Sequence, residues 1–136
     1  MTYTIFVTAS KLAPAGMQRL ENAGCRVLFL DKTQDAAEVE SILATNAVDA
    51  VISRTVDLSA LAIRSCPTLK VISKHGVGVS NIAVSAATER AIPVYVTPGA
   101  NAQSVAEMTI GLMLSAARRI PWMDQELRAG RWTDTG

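Results

Sequence analysis

A single histidine, His75, and only two cysteines, Cys25 and Cys66, stand in these 136 residues, and aromatic residues make up just 4% of them. Each scarcity excludes something. One histidine and two cysteines far apart cannot build a His/Cys metal centre or a redox pair, and two thiols are too few for a disulfide framework. Both sit beside apolar, strand-like segments and are expected to be buried free thiols. The formal charge is only +1 and no basic cluster occurs, so the electrostatic footprint of a nucleic-acid binder is missing. No apolar run approaches the roughly 20 residues of a membrane span. The opening Met1-Thr2-Tyr3-Thr4 passes straight into a strand-like segment with no signal-peptide pattern, which leads to the expectation of a cytoplasmic protein. Partners are then small molecules or further copies of the chain.

What is present is apolar: 49% hydrophobic against 18% charged residues, enough for one domain with strands buried on both faces. Short β-branched runs at Thr4–Thr8, Cys25–Leu30, Val48–Ser53, Leu69–Ser73 and Pro93–Val96 alternate with helix-period segments. Val39, Ile42 and Leu43 are spaced for one helix face, as are Leu58, Leu61 and Ala62, and Asp35-Ala-Ala-Glu38 has the form of a capping box. Strand-helix alternation predicts an α/β fold: a flavodoxin-like, doubly wound parallel five-stranded sheet of order 2-1-3-4-5, with ligands at the carboxyl ends of the strands. The last long segment, Asn101 to Arg119, is different. Its polar or small positions Ser104, Glu107, Gly111, Ser115 and Arg118 form one narrow stripe, and the remainder is apolar. Pro121 interrupts it, a short helical stretch is expected around Trp122 to Ala129, and a polar end, Thr133-Asp134-Thr135, lies between Gly130 and Gly136. The organisation expected is a domain over 1–100 followed by a long helix and linker over 101–136.

Gly76-Val77-Gly78-Val79-Ser80-Asn81 follows a strand and has the outline of a dinucleotide-binding glycine loop. It departs from that fingerprint in three ways: Asn81 replaces the third glycine, the loop follows the fourth strand instead of the first, and no acidic residue stands about 20 positions on. It is therefore not the pyrophosphate site of a dinucleotide. Backbone N–H groups left exposed by such a loop can instead receive a carboxylate, and from the loop alone a tight turn with no ligand is an equally good account. Arg54 ends the apolar strand before it, at the edge that the expected sheet order places beside the glycine loop. A guanidinium there can clamp an anion bidentately, although a lone strand-end arginine is more often solvated. Lys74 and His75 rank below it: Lys74 reads equally as a solvated strand-end lysine, and no carboxylate partner can be assigned to His75 as a general acid or base.

Three runs carry a resemblance: Leu69-Lys-Val-Ile-Ser-Lys-His-Gly-Val-Gly-Val-Ser-Asn-Ile82, Ala86-Ala-Thr-Glu-Arg-Ala-Ile-Pro-Val94 and Thr97-Pro-Gly-Ala-Asn-Ala-Gln-Ser-Val-Ala-Glu107. Together with Val51-Ile-Ser-Arg-Thr55 they make the whole chain resemble the D-2-hydroxyacid dehydrogenases, in particular their phosphoglycerate dehydrogenase-like members. The resemblance implies an amino-terminal substrate-binding domain that runs into an inserted Rossmann domain binding NAD or NADP, with hydride transfer between the cofactor and a small 2-hydroxy or 2-keto acid. It implies that Arg54 contacts substrate and that Lys74, His75, Gly76, Val77 and Gly78 form the loop receiving the substrate carboxylate. Val77, Asn101, Val105 and Ala106 would lie near the cofactor, at the start of a helix crossing between domains, in a homodimer. The family's catalytic arginine, glutamate and histidine match no position here. Where the family usually reads Val-Asp-Asn-Ile-Asp, this chain has Val79-Ser80-Asn81-Ile82-Ala83; if the lost carboxylates serve as helix caps, Ser80 is expected to replace them.

Two other occupants of the same topology fit poorly. A response-regulator receiver needs acidic residues after the first strand and an aspartate after the third, where Thr8-Ala9-Ser10 and Ser53-Arg54 stand. A flavodoxin needs a glycine-containing phosphate loop, and Thr8-Ala-Ser-Lys-Leu-Ala13 has no glycine. A non-catalytic, NAD-sensing relative of the corepressor type is the alternative that this portion of sequence leaves open, as it leaves open which 2-hydroxy acid is bound.

Overall fold

The computed structural model describes residues 2–31 and 35–131. The expected Thr133-Asp134-Thr135 segment and Gly136 lie outside them. The elements are β1 (Thr4–Val7), α1 (Pro14–Asn22), β2 (Arg26–Phe29), α2 (Ala36–Thr45), β3 (Ala50–Ser53), α3 (Ala60–Ser65), β4 (Val71–Lys74), α4 (Val84–Glu89), β5 (Val94–Tyr95), α5 (Ala102–Ala117) and α6 (Ile120–Arg128). The sheet is parallel throughout, in the order β2-β1-β3-β4-β5, as the alternation predicted. By internal packing the chain forms two compact units, Met1–Pro98 and Gly99–Gly136.

In the first unit the apolar runs become strands because a parallel sheet is covered on both faces and can absorb consecutive β-branched residues. The inner strands show it best: Phe6, Val7 and Val51 are fully buried, whereas edge strand β2 is only half-buried. Around them α2, α3 and α4 pack in a row and α1 lies against β2. Asp35 caps α2 through its carboxylate, which accepts from the N–H groups of Ala37 (3.0 Å) and Glu38 (3.3 Å), so the acceptor half of the expected capping box is present. Arg90 closes the carboxyl end of α3 by donating to the carbonyls of Ile63 and Cys66.

Three local expectations are corrected. Leu61 is 63% exposed, and the buried face of α3 is Ala62 and Ile63; Leu58 precedes the helix in an isolated bridge with Ile82, and the Ser59 N-cap after it sets the helical phase. Cys25 is half-buried at the mouth of β2, while Cys66 is buried with its thiol 3.4 Å from the Val48 carbonyl. Ser80 does not cap α4: that helix begins at Val84, and Ala83, without a capping side chain, occupies the N-cap.

The last point gives a stability prediction. Ala83→Asp puts an acceptor where the first-turn N–H groups of α4 lack one, and is expected to add about 1 kcal/mol, a rise of a few degrees in Tm. An unchanged or lower Tm on thermal denaturation would show that the cap position needs no side-chain acceptor.

The second unit consists of α5 and α6. No residue of either helix is buried, and α5 exposes Val105, Met108, Ile110, Leu112, Met113 and Leu114, each by more than half. The turn between them places Arg119 in the left-handed region (φ 53°), with its guanidinium 4.4 Å from the centre of the Trp122 ring.

Candidate functional site: an anion-receiving edge

The carboxyl ends of β1, β3 and β4 converge, and their first residues beyond the sheet build the site. Thr8 continues β1, buried at 1% exposure, and its hydroxyl accepts the Arg54 N–H at 2.9 Å. Ser53 pairs in register with Lys74, so Arg54 and His75 leave the sheet side by side. The Arg54 carbonyl accepts from the Lys74 ammonium and from the Asn81 amide (3.2 Å). The backbone of Arg54 is thus held on both sides, while its half-buried side chain has no hydrogen bond or ion pair among the described residues. That is a preorganised cation.

Lys74 is not the solvated lysine that the sequence allowed. It is only 8% exposed, and its ammonium also donates to Asn81 Oδ1 at 2.6 Å. Burial lowers its pKa from the ordinary lysine value. The Asn81 amide in turn donates to Ser53 Oγ (3.2 Å) and the Val56 carbonyl (2.8 Å), tying the end of the glycine loop to β3. Lys74 and Asn81 therefore hold the loop and the Arg54 backbone together, and their roles are internal.

The glycine loop divides into used and unused amides. The His75 N–H is taken by the Ser53 carbonyl at 2.9 Å, and the Gly76 N–H by the Lys74 carbonyl (3.0 Å) and the Thr97 hydroxyl (3.1 Å). Among the five residues expected to receive a carboxylate, these two amides are not available for it. The Val77 and Gly78 N–H groups, on an exposed stretch between the Thr97 and Asn81 anchors, have no partner among the described residues. Gly76 carries the positive φ, 139°, that favours glycine there. At Gly78 φ is not positive and an added Cβ would meet nothing, so what its missing side chain provides is clearance above the free amides.

Two hollows open on the same edge. One of about 370 Å³ is lined by Thr8, Ala9, Ser10, Lys11, Arg54, Thr55 and Val56; another of about 480 Å³ is bordered by Lys11, Pro14, Arg54 and His75 among others. His75 is exposed and pairs with no carboxylate among the described residues. Lys11, Asn81 and Thr97 carried no signal in the sequence reading. The first comes into the cleft through the β1–α1 loop, and the other two act across gaps that only the folded sheet closes. Asn101, Val105 and Ala106 belong to the second unit, where Asn101 is the N-cap of α5 and its carbonyl accepts the Val105 N–H one turn on, at 2.9 Å.

A dinucleotide does not fit this edge. The loop after β1 has no glycine, and the glycine loop after β4 does not lead into a helix, since α4 starts only at Val84. No helix N-terminus therefore stands behind the free amides to receive a pyrophosphate.

The class defined by this fold and edge is a parallel α/β domain whose strand ends carry, among the described residues, two amides and an arginine side chain without partners. Residues 5–131 match the family model described as D-isomer specific 2-hydroxyacid dehydrogenase, catalytic domain, and the chain belongs to that family. It is 33% identical over 132 residues to D-3-phosphoglycerate dehydrogenase of Mycobacterium bovis, covering 97% of this chain and 24% of that enzyme. It is 42% identical over 86 residues to hydroxypyruvate reductase of Thermotoga maritima, covering 62% of this chain and 28% of the other. Among solved structures, the NADPH-dependent glyoxylate/hydroxypyruvate reductase of Sinorhizobium meliloti in complex with NADP and malonate superposes with a TM-score of 0.79 at 29% identity, over 100% of this chain and 41% of that one. The chain thus spans about a quarter of the length of the first relative.

Proposed function

We propose that this chain is the substrate-binding portion of an NAD- or NADP-dependent D-2-hydroxyacid dehydrogenase. Residues 1–100 supply the substrate domain, and 101–136 the helix and linker toward a nucleotide-binding domain outside the chain. The observation that carries it is the pair of unpartnered Val77 and Gly78 amides beside an Arg54 whose backbone is locked and whose guanidinium is free. These groups bind and orient the carboxylate of a 2-hydroxy or 2-keto acid, with His75 lining the cleft beside them and Lys74 and Gly76 keeping the loop in shape. The nicotinamide would supply the hydride exchange when bound, with Val77 the residue of the first unit that would border it. Free Cys25 and Cys66 suit a reducing compartment, the cytoplasm.

The chain alone is expected to give no NAD reduction with D-2-hydroxy acids, because its described residues provide neither a pyrophosphate cradle nor an acid-base set. Absorbance at the reduced nicotinamide band checks this, and turnover above a protein-free control would overturn it. Titration of the 15N-labelled chain with pyruvate is expected to shift the Val77 and Gly78 amide resonances first. Unmoved loop amides would refute the carboxylate site. In the complete protein, turnover distinguishes the dehydrogenase from a corepressor-like relative, which would bind NAD and a partner without reducing it.

Homodimerisation follows from α5. Sixteen residues span about 24 Å, and the apolar side chains exposed on it exceed what its narrow polar stripe can shield. Light scattering of the chain is expected to show concentration-dependent association, weakened in Leu112→Asp; a monomer at every concentration would remove α5 as the interface.

A further inference from the structure

Thr97 stands two residues past β5 and closes on Gly76 with three hydrogen bonds. Its backbone N–H donates to the Gly76 carbonyl at 2.9 Å, and its hydroxyl accepts the Gly76 N–H and donates to the same carbonyl, each at 3.1 Å. One side chain thus grips the peptides on both sides of a glycine twenty-one residues away. Gly76 is where such a grip has something to hold: its φ of 139° suits glycine, which also has the widest choice of other backbone conformations. The Gly76 carbonyl shares its peptide with the Val77 N–H. In a planar trans peptide the C=O and N–H point in opposite directions, and the described chain has no cis bond. Holding the Gly76 carbonyl on Thr97 therefore turns the Val77 N–H away from Thr97, where it has no partner among the described residues. Rotation of this peptide, easy beside a glycine, would reverse it.

We propose that Thr97 is a positioning residue for acid binding, whose hydroxyl locks the Gly76–Val77 peptide in the orientation that offers the Val77 N–H to a carboxylate, an inference that rests on the carboxylate site described under Proposed function. Without the hydroxyl, the Gly76 carbonyl keeps the Thr97 N–H and the Gly76 N–H keeps the Lys74 carbonyl, so no backbone group is stranded and the fold persists. Thr97 is exposed, and valine keeps its branched shape. What is lost is the bias between two peptide orientations, and apparent affinity falls with the fraction of chains in the competent one.

The test is titration of the 15N-labelled chain with pyruvate, read at the Val77 and Gly78 amides, in wild type, Thr97→Val and Thr97→Ser. Thr97→Val is expected to bind about fivefold more weakly, the scale of one net hydrogen bond, with Tm within a few degrees of wild type. Its Val77 resonance should be broadened by exchange between the two orientations, and saturating pyruvate should sharpen it by selecting one. Serine keeps the hydroxyl and should restore both affinity and line width. Thr88→Val, which removes an equally exposed hydroxyl bonded within α4, should change neither. Wild-type affinity with a sharp Val77 resonance in Thr97→Val, or a serine variant no better than valine, overturns the lock while the carboxylate site stands. A Thr97→Val chain that unfolds assigns the hydroxyl to the fold and overturns the positioning role as well. Wild-type loop amides that do not respond to pyruvate overturn the carboxylate site and this inference with it.

Discussion

Asn81→Leu is expected to be among the most damaging single changes in the first unit, costing roughly 3 kcal/mol and lowering Tm by about 10 °C. The side chain accepts from the buried Lys74 ammonium and donates to Ser53 Oγ and to the carbonyls of Arg54 and Val56. Leucine has the same branched outline, is somewhat larger, and makes none of these bonds. It leaves Lys74, already only 8% exposed, with the Arg54 carbonyl as its one remaining partner, and removing one partner of a buried charge costs more than a neutral hydrogen bond is worth. The hydrogen-bonded His75 and Gly76 amides should then exchange faster with solvent, because the anchor at the end of their loop is gone. Asn81→Asp keeps the acceptor for Lys74 and loses the donors, so it should fall between wild type and leucine. A Tm within two or so degrees of wild type for Asn81→Leu would mean that the loop is held by Thr97 and the Leu58 bridge alone.

This network also marks the limit of what could be read in advance. The strands were legible because a parallel sheet buries both faces, so that Ile5-Phe6-Val7 and Val51-Ile52 stand out as apolar runs whatever their neighbours. Sheet order followed from the alternation of strands and helices. Helical phase was less secure: Leu58, Leu61 and Ala62 have helical spacing, yet Leu58 is claimed by its bridge to Ile82 and Leu61 turns outward. Within the site, Arg54 and the glycine loop could be located, because a strand end followed by a charge or by glycines is a local signal. Which loop amides are free could not. That depends on Thr97, twenty-one residues beyond Gly76, and on Ser53 across the sheet. Gly76 and Gly78 look alike in sequence, and only the backbone separates the one that needs positive φ from the one that leaves space. Lys74 likewise reads as a solvated strand-end lysine until β3, β4 and the loop close around it.

In the complete enzyme, Arg54→Ala is expected to lower kcat/KM for the acid by tenfold to a hundredfold, since a charge-assisted contact to a carboxylate is worth roughly 1.5–3 kcal/mol. Most of the loss should appear in KM, because the carboxylate does not change charge during hydride transfer and is held in the ground state as well as in the transition state. Affinity for the nicotinamide cofactor should barely move, as the described residues provide no pyrophosphate cradle at this edge. Arg54→Lys should recover only part of the loss: a lysine ammonium is a point charge and cannot reproduce the planar fork. Both variants should fold normally, because Thr8, Lys74 and Asn81 grip the backbone of residue 54 and not its side chain. Circular dichroism and Tm check that condition, and steady-state kinetics with acid and cofactor varied separately check the rest. Unchanged kinetics for the acid in a folded Arg54→Ala enzyme would return this arginine to the status of a solvated charge at a strand end, and would leave the carboxylate to the Val77 and Gly78 amides alone.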